Sequence, residues 1–143
     1  LPDAGLDSDG LRVFFYRLGF TEEETVALMG AHTLGRFTSL LGVPKECLKG
    51  LNGKWEACLP FGQRLPFVSQ DPDRFSNTYY KWLLRWNVRD IQSGDVHFLP
   101  TDVVLVVDAD FQKQVRRFAE DEALFFKSFA RAYSRMVSLG VPV

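Results

Sequence analysis

Apolar residues along this chain recur at helical spacing far more often than at strand spacing. Leu11, Phe14, Phe15 and Leu18 fall at i, i+3, i+4 and i+7, the stripe of an amphipathic helix. A helix is therefore predicted over residues 7–18, with Gly19 as its stop. Thr21 followed three residues later by Glu24 forms a capping box, and a second helix is predicted from about residue 22 to 31, delivering His32 at its C-terminal rim. Asp71-Pro72 reads as the next start, with Asp71 as N-cap and Pro72 at the first helical position; Phe75, Tyr79, Leu83 and Trp86 supply its apolar face. Leu99-Pro100-Thr101-Asp102 opens a short helix, and Asp108-Ala109-Asp110 caps another with Phe111, Val115 and Phe118 inward. The last predicted helix covers residues 120–139. Phe126, Phe129, Ala130, Tyr133, Met136 and Val137 keep its spacing, the acidic Glu120-Asp121-Glu122 complements its N-terminal dipole, and Gly140 and Pro142 end it. No strand pair with hairpin punctuation and no internal repeat is visible. The predicted fold class is all-α.

One stretch breaks this rhythm. Gly42, Pro44, Gly50, Gly53, Pro60, Gly62 and Pro66 punctuate an irregular segment over about residues 40–69. Structureless connections of that length are uncommon inside compact domains and are usually functional or interactive.

Composition narrows the class. The chain has 143 residues, enough for one domain, and 46% of them are hydrophobic, as in globular proteins. A formal net charge of −1 argues against a dedicated nucleic-acid partner. The longest purely aliphatic run, Val103-Val104-Leu105-Val106-Val107, is far too short for a transmembrane span, which needs about 20 residues. Cys47 and Cys58 stand with no second Cys/His pair at zinc-finger spacing; one disulfide and two reduced thiols both remain open. The chain starts at Leu1-Pro2-Asp3-Ala4 without an initiator methionine, the expectation for a processed product, an excised fragment or a partial sequence.

Of the two histidines, His97 beside Phe98 reads as a core or surface residue, whereas His32 stands in Val26-Ala27-Leu28-Met29-Gly30-Ala31-His32-Thr33-Leu34-Gly35-Arg36. Together with Gly53-Lys54-Trp55 and Leu99-Pro100-Thr101-Asp102, in that order, this run resembles the proximal, C-terminal half of the intracellular haem peroxidases, the group that contains cytochrome c peroxidase and ascorbate peroxidase. Leu1-Pro2-Asp3-Ala4, Phe75-Ser76-Asn77-Thr78-Tyr79-Tyr80 and the run from Glu120 to Gly140 extend the likeness across nearly the whole chain. The resemblance implies one peroxidase-like proximal domain over residues 1–143, with the distal N-terminal half absent and an irregular insertion at about 40–69. It implies haem b as cofactor, with His32 as the proximal iron ligand. Asp102 takes the position of the carboxylate that accepts a hydrogen bond from the second ring nitrogen, and Trp55 that of the proximal indole. Such a trio has a physical logic: a ligating imidazole needs its second nitrogen held, or its tautomer and orientation wander.

The departures from the family pattern divide the functional expectation. Peroxide cleavage in the family uses a distal Arg-x-x-Trp-His helix, and none of Trp55, Trp82 and Trp86 precedes a histidine. This chain alone is therefore not expected to be competent for hydrogen peroxide reduction. Trp55 lies at a longer interval from His32 than the family has, so an insertion must loop out. Thr38 stands where a propionate-side histidine is usual, and the arginine that helps bind ascorbate has no counterpart. Glu56 and Ser76 replace oxygen ligands of the ascorbate peroxidase cation site, so potassium is not expected. Two readings follow. In the first, the chain is the proximal half of a haem peroxidase completed by a second polypeptide or a cleaved segment. In the second, it is a catalytically silent accessory subunit of a larger organellar complex, with the segment over 40–69 as its docking surface. Members of the resembled family occur in mitochondria, plastids and cytosol, and for either reading an intracellular, organellar setting, mitochondrion or plastid, is the expectation.

Overall fold

The computed structural model describes residue 2 and residues 6–38, 64–66, 72–85 and 98–141. Helices α1 (Ser8–Arg17) and α2 (Glu22–Met29) form where the apolar stripe and the capping box predict them. Asp7 accepts from the Gly10 N–H at the start of α1. Thr21 and Glu24 exchange both bonds of the capping box. Gly19, at φ 87°, makes the left-handed turn between the two helices, where a side chain would be strained. α2 does not simply end at its rim. It tightens into a 3₁₀ turn, Gly30–Thr33, which carries His32.

Helix α3 (Thr78–Arg85) begins later than the Asp71-Pro72 signal predicts. Tertiary contacts hold residues 72–77 out of helical geometry. The Asn77 side-chain amide donates to the carbonyls of Phe118 and Ala119, and its backbone N–H donates to Glu122. Phe75 is thereby laid against the rings of Phe125, Phe126 and Phe129 rather than along a helix face.

Helices α4 (Pro100–Val107), α5 (Ala109–Glu120) and α6 (Glu122–Val137) follow in close succession. Asp108 accepts from the Asp110 and Phe111 N–H groups and so separates α4 from α5. Asp121 caps α6 by accepting from the Leu124 N–H, so this helix begins two residues later, and ends two residues earlier, than the predicted 120–139. On α6 the inward residues are Phe125 and Ala132, with Phe129 and Met136 packed against the core. Phe126, Tyr133 and Val137, read from spacing as part of the same stripe, are 39%, 48% and 57% exposed.

Helix α2 packs on α5 and α6, α3 on α4, α5 and the 3₁₀ turn, and α1 on α4 and α2. The core they enclose is centred on the fully buried Leu11, Val26, Leu105, Phe111, Val115 and Phe118. The chain is all-α as expected, with one addition among the described residues. Two three-residue strands, β1 (Arg36–Thr38) and β2 (Arg64–Pro66), pair antiparallel with Phe37 opposite Leu65. Three residues are too few to show a period-two pattern, so this ladder could not be read from the sequence. Most of the predicted insertion over 40–69 lies outside the described residues.

Candidate active site

His32 and Asp102 are 70 residues apart in sequence and in direct contact in the fold. Leu99 holds the extended backbone that precedes a proline, and Pro100 starts α4, so Asp102 falls in the first turn, where the helix dipole favours a carboxylate. Asp102 reaches back to accept the Leu99 N–H on Oδ2 at 2.8 Å. This is half a capping box, because leucine has no side-chain acceptor with which to return the bond. The Asp102 Oδ1 atom receives two donors, His32 Nδ1 at 2.6 Å and the Tyr79 hydroxyl at 2.6 Å. The carboxylate is completely buried. An ionised carboxylate has only acceptors, so the His32 proton sits on Nδ1 and the Tyr79 O–H points at Asp102.

This arrangement fixes the imidazole in tautomer and plane. The Tyr79 ring stands edge-on to it, at 6.1 Å between centroids. Burial opposes the charged imidazolium, but the charge of Asp102 and its hydrogen bond outweigh that, and the His32 pKa stands above its ordinary value. Burial, then Asp102, push the Tyr79 phenol well above the usual tyrosine range, so it remains a donor.

The 3₁₀ turn is placed by close packing. A Cβ on Gly30 would overlap the Tyr80 hydroxyl and the Phe125 ring, so only glycine allows the turn to approach α3 and α6 this closely. At the change from α to 3₁₀ geometry the Gly30 N–H bonds Ala27 O. The Tyr80 hydroxyl then supplies a donor to the carbonyls of Val26 and Ala27, at 2.7 and 3.3 Å.

His32, 27% exposed along its side chain, lines a cavity of about 420 Å³. The other walls are almost wholly apolar, among them Phe15 and Leu18 from α1, Leu28 and Met29 from α2, and Leu99. Beside the turn, the Thr33 and Ser76 hydroxyls lie 3.3 Å apart, and Ser76 donates to Thr78 at 2.9 Å. The structure thus unites two of the three predicted site residues, His32 and Asp102. Trp55, Glu56, Cys47, Cys58 and His97 lie outside the described residues. The sequence does not single out Tyr79 and Tyr80 as site residues: it places Tyr79 on an apolar face and both within the family-like segment 75–80, with no role for either hydroxyl. The signal was there: two adjacent tyrosines, one on a buried stripe, each with a hydroxyl that must find a partner when buried.

The comparisons with known proteins meet this geometry. A family model described as Peroxidase matches residues 1–121. The chain belongs to the peroxidase family. Among the relatives of this peroxidase-family chain is a putative heme-binding peroxidase of Gibberella zeae, 34% identical over 99% of the chain and 41% of the relative. The mitochondrial cytochrome c peroxidase of Candida albicans is 37% identical over 99% of the chain and 36% of its own length. That of Neurospora crassa is 35% identical over 99% and 37%. This peroxidase-family chain therefore spans about two-fifths of the length of the relatives it matches.

Proposed function

We propose that this chain is the proximal half of a haem peroxidase, in which His32 binds the iron, Asp102 holds the His32 Nδ1 proton and Trp55 supplies the proximal indole. The observation that carries this reading is the buried hydrogen bond from His32 to Asp102 at the wall of an apolar cavity. The donor set fits haem b better than a bare metal ion. Among the described residues no group of three or more His, Cys, Asp or Glu could hold a metal ion, whereas haem would need from the protein one imidazole ligand and an apolar slot, and His32 and the cavity beside it could supply both. With Nδ1–H committed to Asp102, Nε2 is the atom through which His32 would ligate, and the carboxylate makes that nitrogen a stronger electron donor. Phe15, Leu28, Met29 and Leu99 line the same cavity as His32 and would exclude water from the bound group. When bound, haem supplies the redox centre for peroxide reduction. The distal acid–base groups come from a second polypeptide or another segment of the same protein, and the electron donor is a protein or small molecule outside this chain. Relatives named as mitochondrial support an organellar setting. Among the described residues, no helix is long and apolar enough to cross a membrane.

The test is haem titration of the full-length protein or its native complex. A Soret band is expected that His32→Ala abolishes while far-UV circular dichroism is retained. A folded complex that takes up no haem would overturn the reading and leave the chain as an accessory module.

A further inference from the structure

Asp102 Oδ1 is shared. It accepts from His32 Nδ1 and from the Tyr79 hydroxyl at the same 2.6 Å, while Oδ2 is held by the Leu99 N–H at 2.8 Å. We infer that Tyr79 is a positioning residue that sets how strongly Asp102 pulls on the His32 Nδ1 proton, and through it how electron-rich the iron-facing nitrogen is. The inference rests on His32 being the iron ligand.

The physical argument concerns one oxygen and two donors. Each hydrogen bond to a carboxylate draws off part of its negative charge and weakens its hold on the other donors. Were Tyr79 a phenylalanine, Oδ1 would concentrate its charge on His32 alone, and the imidazole would move toward imidazolate character. The site is dry enough for this to matter: Asp102 and Tyr79 are both completely buried, so no solvent replaces a lost donor. Tyr79 is also held from moving away. Its ring is wedged edge-on between Tyr80 at 5.1 Å and Phe98 at 5.8 Å, which fixes the hydroxyl over Asp102. The tyrosine thus acts as a brake on the carboxylate: the histidine is oriented by Asp102 but not fully deprotonated by it.

The experiment uses the haem-loaded full-length protein and compares wild type, Tyr79→Phe and a protein carrying 3,5-difluorotyrosine at position 79. Tyr79→Phe keeps the ring and removes only the donor. It should leave the Soret band in place, raise the iron–histidine stretching frequency and shift the iron(III)/iron(II) equilibrium about threefold toward iron(III), the part of a charge-assisted hydrogen bond relayed through a shared oxygen. Difluorotyrosine, a stronger donor of unchanged shape, should shift both quantities the opposite way. It keeps the inference open to refutation if the phenylalanine variant fails to fold. Potential and stretching frequency unchanged in a folded Tyr79→Phe protein, or displaced with the same sign by both replacements, would overturn it. A His32→Ala protein that keeps its haem with the wild-type Soret band would instead refute the ligand assignment on which it rests.

Discussion

Replacing Asp102 with asparagine changes one atom and sets the whole site at odds. In the original orientation the amide oxygen keeps both donors now on Oδ1, His32 and Tyr79, but its NH₂ group faces the Leu99 N–H, donor against donor across 2.8 Å. Flipped, the oxygen serves Leu99 and the NH₂ group faces His32 and Tyr79. The hydroxyl can turn to accept, and His32 must move its proton to the other nitrogen. In the first orientation the Leu99 hydrogen bond is lost; in the second the Tyr79 O–H loses its acceptor and His32 is forced into the other tautomer. Either fault costs about 1–3 kcal/mol, and the bonds that survive lose their charge assistance. Relief from burying a carboxylate offsets part of this. The expected net loss is about 2–4 kcal/mol. For a chain of this size that lowers the melting temperature by about 10 °C. Urea unfolding followed by far-UV circular dichroism measures it, with Asp110→Asn, exposed on the first turn of α5, as a control within about 0.5 kcal/mol. A loss for Asp102→Asn below about 1 kcal/mol at unchanged m would show that the three-donor carboxylate does not govern this region.

Two other outcomes follow from the packing and the charge network. Gly30→Ala should cost about 2–3 kcal/mol through overpacking against the Tyr80 hydroxyl and the Phe125 ring, measured by the same unfolding assay; a near-neutral result would mean that the turn has room to relax. Arg12 bridges Glu22 and Asp108, at 2.6 and 2.7 Å, and lies over the Phe111 ring. The Arg12 hydrogen bond holds the Asp108 carboxyl below its ordinary value, with burial opposing and the Phe111 and Asp110 N–H groups assisting. Below that ordinary value the unfolded chain binds the proton more readily than the folded one, so this contribution is complete at neutral pH and is lost as pH falls through the folded pKa. Arg12→Met should therefore cost about 1 kcal/mol at neutral pH and flatten the acid limb of the stability curve below about pH 4; an unchanged acid limb would remove Asp108 from that role.

How much of this was legible depended on whether a feature is local. Caps and stops were readable because they act within a turn: Thr21 with Glu24, Gly19, and Asp108 at the start of α5 all do what their sequence context says. The inward face of α5, Phe111, Val115 and Phe118, followed from spacing alone. The pairing of His32 with Asp102 was foreseen only by resemblance, since no periodicity connects residues so far apart. Local signals failed where distant contacts override them. Asp71-Pro72 is a sound helix start, yet Asn77 and Phe75 are held by the α5–α6 junction and α3 starts at Thr78. On α6 two apolar stripes lie side by side, and sequence spacing could not say that Phe125 rather than Phe126 faces inward. Tyr79 escaped notice because hydropathy patterns count a tyrosine's ring and ignore its hydroxyl.

The separation of 70 residues between His32 and Asp102 has a bearing on how the protein comes into being. Closing a chain segment of that length costs about 4 kcal/mol of entropy before any contact repays it. The α5–α6 pair and the capped start of α2 can form from neighbouring residues, but the histidine acquires its tautomer and its orientation only when both ends of that long loop have met. A nascent or partly unfolded chain therefore carries an ordinary, rotatable imidazole. The prepared one is a product of the completed fold, so whatever binds it also draws the folding equilibrium toward the native state.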